Sequence, residues 1–372
     1  MEKTNQQKSE RNFGIDLLRI LSMLMVVILH ILGQGGILGN CEFLSGSYMV
    51  AWLLEIASYC AVNCYALISG YVGYKARYKY SNIINLYMQV IFYTIGITMI
   101  FAIVAPETVH LGDIVKVLFP FAYTNVYWYF TAYFCLFFFI PVLNLVVDKL
   151  EKRELKILIV CIVLLYSIMP TIFRRDMFFT GDGCSPIWLA MLYIMGAYIR
   201  KYDVTSRENH KKSIYIYVLC VVFTWILKLG METTTLKILG EAKGGNLLIS
   251  YLSPTILLAA ISLLQYFSML EVSGVLKKLV IYLSPVAFSV YLIHTAPLVW
   301  EHVLAGVFSG YARLNPFILV IVVLVTAISI FILCTMVDII RIKLFNVLNI
   351  RKICEELGYS IGCIIKKVIK ED

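Results

Sequence analysis

Ten apolar stretches, about 15–33, 48–73, 82–105, 127–148, 155–172, 186–200, 213–230, 247–268, 281–300 and 317–338, leave this chain one solvent in which to fold. A helix needs roughly 17–25 apolar residues to cross a hydrocarbon layer, and in lipid every backbone polar group must be satisfied within the protein. The sixth stretch is short and contains Gly196. Only 15% of the residues are charged and the mean hydropathy is +0.84, whereas a soluble domain carries about 25% charged residues. The expected fold is an all-α integral membrane bundle of about ten transmembrane helices over residues 1–338. Residues 339–372 form a separate tail.

Orientation follows from the basic residues, because Lys and Arg accumulate in cytoplasmic loops. With the N-terminus inside, 24 of the 32 Lys and Arg fall in cytoplasmic segments. Lys3, Lys8 and Arg11, Lys149–Lys156 and Arg200–Lys212 are among them. The outer loops hold Lys116, Arg174, Arg175, Lys228, Lys237, Lys243 and Arg313. Both termini are therefore expected in the cytoplasm. From Ile339 onward, Ile342, Phe345, Ile353, Leu357 and Ile361 alternate with basic groups at helical spacing, as in an amphipathic helix lying on the inner leaflet. The net charge of +9 then reflects topology and attraction to anionic lipid, and no nucleic-acid partner is expected.

The ten cysteines read as small apolar packing residues. A disulfide between Cys41 and Cys184, the two in outer loops, is the alternative. Cys60 and Cys64 share a helix face with no histidine beside them, so no metal is expected. The first stretch is too long and too charged for a cleaved signal and counts as a helix. No internal repeat emerges, against an inverted-repeat transporter.

Inside the first stretch stand Asp16, Arg19 and His30. A charge near a helix centre in lipid costs about 2.5–3.5 kcal/mol on the most lenient scales, so such residues are suspected of function. Eleven positions separate Arg19 from His30, an axial rise of about 16 Å at roughly 1.5 Å per residue. Eleven is close to three turns, so both side chains lie on nearly one face. The second stretch holds Glu55, near the depth of His30 or in interfacial water, and Asn63, which needs a partner from a neighbouring helix or a ligand. Ser69, Gly70 and Tyr71 follow, then a basic rim of Lys75, Arg77 and Lys79 that either snorkels or captures anions. The fourth stretch opens on Trp128, Tyr129 and Tyr133, an interfacial belt or a cavity wall, and Pro141 is expected to kink it. The ninth carries Tyr291 and His294, the latter at a depth matching His30.

Taken in order, Ile15-Asp16-x-x-Arg19 with Arg19-x10-His30, Ala61-Val62-Asn63 with Ile68-Ser69-Gly70-Tyr71, Trp128-Tyr129-x-x-x-Tyr133 with Pro141-x-x-Asn144, Gly196-Ala197-Tyr198-Ile199-Arg200 and Ser289-Val290-Tyr291-Leu292-Ile293-His294 resemble acyltransferase family 3. These are membrane-bound acyltransferases that O-acetylate bacterial surface glycans. The chain is also similar to the membrane half of serine-racemase-type resistance proteins, with no racemase or esterase-like domain expected here. The family's Arg-rich continuation after Ser-Gly-Tyr is diluted to Lys75, Arg77 and Lys79, then Asn85 and Gln89.

The resemblance implies a multi-pass protein of the bacterial plasma membrane, a cytoplasmic acyl-CoA donor, acetyl-CoA in the first instance, and a glycan or lipid-linked sugar acceptor among membrane lipid. A homo-oligomer is left open. A pantetheine arm roughly spans Arg19 to His30, so the nucleotide phosphates would rest on Arg19, Ser69, Lys75, Arg77 and Lys79. The thioester would then meet His30, whose imidazole suits a general base with an unperturbed pKa of about 6.5. Transfer is direct or passes through an acetyl-histidine. Asp16 would orient Arg19. Glu55, Asn63, Tyr71, Trp128, Tyr129, Tyr133, Tyr291 and His294 are supporting candidates. The rival readings are a transporter or flippase of a lipid-linked glycan precursor, and a scaffold.

Overall fold

The computed structural model describes residues 11–122, 127–204 and 210–370, and helices with short turns account for them, with no strand. Lys3, Lys8 and Arg207 of the charge argument, and Val126 at the head of the fourth stretch, lie outside the described residues. Among those described, eight helical segments are long and apolar enough to cross a membrane. The sixth and eighth expected helices are shorter, Pro186–Tyr202 with 17 residues and Pro254–Ser268 with 15. Residues 245–253 turn before the latter. Pro254 then starts the helix, since proline suits the first helical position, where the missing N–H has no partner to lose.

Helix α1 (Phe13–Leu32) is the centre of the bundle. Asn12 caps it by accepting from the Ile15 N–H at 3.1 Å, and thirteen of its twenty residues are buried. A helix apolar all round belongs inside a bundle rather than at its edge. The second stretch divides into α2 (Gly46–Ser58), capped by Ser45, and α3 (Ala61–Gly73), with a break at Tyr59–Cys60. Next come α4 (Tyr80–Val104) and α5 (Trp128–Lys149), which runs on through Pro141. Helix α6 (Lys152–Val163) continues through a wide turn to Phe173, and α7 (Pro186–Tyr202) follows.

Helices α3 and α7 cross almost backbone to backbone. A methyl group on Gly70 would sit 2.0 Å from the Tyr193 carbonyl, and one on Gly196 would sit 2.0 Å from the Leu67 carbonyl. Without a hydrophobic drive between helices in lipid, such small-residue contacts supply the packing.

Helix α8 (His210–Leu239) runs through Lys228 and Lys237, both expected in an outer loop. The lysine does not end the helix because its charge is met inside it: Lys228 Nζ lies 2.6 Å from Glu232, one turn on, and 3.5 Å over the Trp52 ring. Helix α9 (Pro254–Ser268) packs on α8, α3 and α1. The ninth stretch is broken into α10 (Gly274–Leu283) and α11 (Ala287–His294) around Pro285, and turns again after His294. Helix α12 (Pro316–Val347) continues nine residues past position 338, and α13 (Ile350–Lys370) is the amphipathic tail helix. The tail docks on the start of α4, where a methyl group on Gly358 would meet the Ser81 nitrogen at 2.6 Å. All ten cysteines are free, Cys41 and Cys184 included.

Candidate active site

The break at Pro285 sets up the basic end of the site. Ser284 lies in the short turn between α10 and α11. Its hydroxyl donates to Asp16 Oδ1 at 2.9 Å and accepts from Arg19 Nη1 at 3.0 Å. Asp16 also binds Arg19 Nη1 at 2.7 Å and Arg11 Nε at 2.5 Å. One carboxylate thus holds two guanidinium groups, and among the described residues only Nη1 of Arg19 is used. Arg19 Nε and Nη2 keep their hydrogens for another acceptor among the five donors of a guanidinium. Asp16 and Arg19, three residues apart on one helix, are thus an ion pair.

Arg19 faces a cavity of about 470 Å3 between α1, α3, α4 and α5, lined also by Ser69, Arg77, Lys79 and Tyr133. Asn82, Asn85 and Gln89, one α4 face, add polar groups to its wall. Ser69 itself donates back to the Tyr65 carbonyl at 2.9 Å. Lys79, Asn82 and Asn85 also border a second hollow closed by Arg351 and Glu355 of α13, so the tail helix walls the mouth. Lys75 is the exception in the basic rim. It is exposed and does not line the cavity, because the turn after α3 points it away while Arg77 and Lys79 lead into α4.

At the other end of α1, His30 meets His294 across a sequence gap of 264, Nδ1 to Nε2 at 2.8 Å. His294 Nδ1 lies 2.5 Å from the Val290 carbonyl. A carbonyl oxygen only accepts, so His294 Nδ1 carries the hydrogen and, in a neutral ring, its Nε2 offers a lone pair. That lone pair takes the hydrogen of His30 Nδ1. The Nε2 of His30 is left unprotonated, a proton acceptor whose tautomer is set by a backbone oxygen two bonds away in the relay. Trp300 packs edge-on against the His30 ring with centroids 4.8 Å apart, fixing its rotation.

His30 opens on a small cavity of about 40 Å3 lined by Trp128, Tyr129, Tyr251 and Tyr291. Tyr65, Tyr129 and Phe288 line both this cavity and the larger one. The two spaces therefore abut at an aromatic neck, with Arg19 on one side and His30 on the other.

The remaining candidates separate clearly. Trp128, Tyr129, Tyr133 and Tyr291 are cavity walls. Asn63 is fully buried and bridges the Tyr251 carbonyl (2.8 Å) and the Trp188 indole N–H (3.1 Å), so its partners are neighbouring segments. Tyr71 accepts from Arg200 at 3.3 Å under the guanidinium, away from both cavities. Glu55 is buried rather than in interfacial water, and one of its oxygens has no partner among the described residues. His30 takes its ring contact from His294, not from Glu55. Sequence reasoning missed Trp300, Tyr65, Phe288, Tyr251 and Ser284, none of which stands out by type or spacing. It also missed two buried charge clusters: Asp338 with Arg341 and Tyr93, and Lys228 with Glu232 and Tyr48. Among the described residues no group of three or more His, Cys, Asp or Glu side chains could hold a metal ion.

Residues 12–336 match a family model described as an acyltransferase domain, that of acyltransferase family 3. No curated protein matches the chain, and no solved structure does.

Proposed function

This chain belongs to acyltransferase family 3, and from that premise we propose that it moves an acyl group, acetyl in the first instance, from cytoplasmic acyl-CoA to a hydroxyl of a surface glycan or lipid-linked sugar. The observation that carries the reading is the pair of cavities meeting at one neck, with a guanidinium at one end and an unprotonated imidazole nitrogen at the other. An extended, mostly neutral chain with an anionic head and a reactive tail fits such a space. The nucleotide phosphates rest on Arg77, Lys79 and the free donors of Arg19, at a mouth facing the cytoplasm of a bacterial cell. The pantetheine arm passes Ser69 and Tyr133. The thioester reaches the neck.

In the reaction, the acceptor oxygen forms a bond to the thioester carbon while His30 Nε2 takes the hydroxyl proton. The carbonyl pair moves to oxygen, then returns as the carbon–sulfur bond breaks. The proton on His30 passes to the leaving thiolate, giving an ester and free CoA. His294 is a positioning residue in this scheme: it holds His30 in the tautomer that can act as base.

Membranes bearing the protein should transfer labelled acetyl from acetyl-CoA to a glycan fraction; a glycan precursor that crosses the membrane while acetyl-CoA stays intact would instead establish transport. For Arg19→Ala the expected result is a raised KM for acyl-CoA with a smaller change in kcat. Hydrogen bonds to charged groups contribute about 1.5–3 kcal/mol, which is about tenfold to a hundredfold in KM. Asp16 keeps Arg11 and Ser284 as partners in that variant, so the fold should hold. A KM unmoved by the substitution would take Arg19 out of the donor site.

A further inference from the structure

Two hydroxyl groups close to the neck are satisfied by backbone carbonyls. Tyr65 donates to the Arg19 carbonyl at 3.0 Å, and Tyr127 donates to the Leu292 carbonyl at 2.7 Å. The hydroxyl of Tyr129 is buried with no partner among the described residues, and the residue as a whole is only 8% exposed. A phenylalanine would fill the same space without burying an unsatisfied group, which is unfavourable in a low-dielectric interior. The ring is also held firmly. It lies parallel to Tyr133 at 6.4 Å, and edge-on to Trp128, Tyr65 and Tyr291 at 5.5, 6.1 and 6.4 Å. Rings packed on this many sides do not swing to find solvent. Tyr129 is also one of three residues to line both cavities, so its side chain stands where a reacting group must pass between Arg19 and His30.

We propose that the Tyr129 hydroxyl donates a hydrogen bond to the thioester carbonyl oxygen of the acyl donor and stabilises the oxyanion formed there. This rests on the acyl-transfer reading above. When the acceptor oxygen bonds to the thioester carbon and His30 takes its proton, a full negative charge collects on the former carbonyl oxygen. The Tyr129 O–H shortens its hydrogen bond to that charge without giving up the proton. The bond relaxes as the carbonyl re-forms and the thiolate leaves. A rigid donor in a dry site serves this purpose because it needs no reorganisation when the charge develops. It is also why a hydroxyl unpartnered in the resting protein is useful: nothing has to be broken before it binds.

The test is Tyr129→Phe in the full-length purified protein, with initial rates over a series of acetyl-CoA concentrations and a thermal unfolding curve. The expected result is a fall in kcat of about 10²-fold, with KM changed by less than about twofold and a Tm equal to or above that of the parent. An unchanged kcat overturns the proposal. So does a raised KM at unchanged kcat, which would mean that the hydroxyl grips the pantetheine amide rather than the transition state. A lowered Tm or loss of folded protein overturns it as well, since the oxygen would then have a structural partner. The parent protein, assayed first, separates the two levels: absence of transfer by it removes the acyl-transfer reading and this proposal together, whereas transfer that survives the substitution removes this proposal alone.

Discussion

His30→Ala is expected to abolish acyl transfer while leaving a folded, membrane-inserted protein. A positioned general base contributes about 10²–10⁴-fold to rate, and no other group at the neck can replace it. The nearby His294 is turned the wrong way, its Nδ1 committed to the Val290 carbonyl and its Nε2 facing His30. The stability change should be modest because, among the described residues, the ring partners of His30 are His294 and Trp300. Its loss leaves one acceptor nitrogen unpaired, about 1 kcal/mol on the usual scale for a hydrogen bond. The measurement pairs kcat with a thermal unfolding curve on the same preparation. Full activity in a well-folded variant would remove His30 from the chemistry and leave the alignment with Arg19 without a purpose.

Asp338→Leu should destabilise the bundle strongly, by about 3–5 kcal/mol, because it strands a buried cation. Asp338 has no exposure and its carboxylate holds Arg341 through Nε at 2.5 Å and Nη2 at 3.2 Å. It also accepts from the Tyr93 hydroxyl, so this carboxylate ties α4 to α12. Arg341 lies over the Phe345 ring at 5.1 Å, which cannot replace an anion. The informative companion is Asp338→Leu with Arg341→Met. Removing both charges should recover most of the loss, since apolar replacements of a buried ion pair are often neutral or better. Unfolding midpoints in detergent for the two variants decide the matter: equal losses in the single and double variants would show that Arg341 was never stranded.

Much of the candidate site's geometry was legible along the chain. The Asp16, Arg19 and His30 pattern needed only a helical period and a hydropathy trace, because polar groups in an apolar run are conspicuous against lipid. His294 could be placed at the depth of His30 by counting along the ninth apolar stretch. The depth was readable; the bond between the rings was not. Lys75 could not be told from Arg77 and Lys79, because three basic residues in one turn look alike until the backbone aims them. Asn63 read equally as a contact to a neighbouring helix or to a ligand, and packing gave it Tyr251 and Trp188. Lys228 looked like a loop charge because its partner Glu232 lies in what seemed to be loop as well; a charge neutralised one helical turn away does not interrupt a helix.

Solvent is the reason the sequence alone determined so much. A bilayer admits helices whose outer surface is apolar, so hydropathy dictates the class of fold, and any departure from it marks a residue held for another purpose. Tertiary structure decided what those marked residues do to one another. The orientation of His30 comes from a carbonyl on α11, Arg19 is held through a serine freed by a broken helix, and the neck is formed by rings from α1's neighbours α3, α5 and α11. Such pairings depend on hydrogen-bond directions fixed within a few tenths of an ångström, across sequence gaps of more than two hundred residues, and no periodicity in one dimension encodes them.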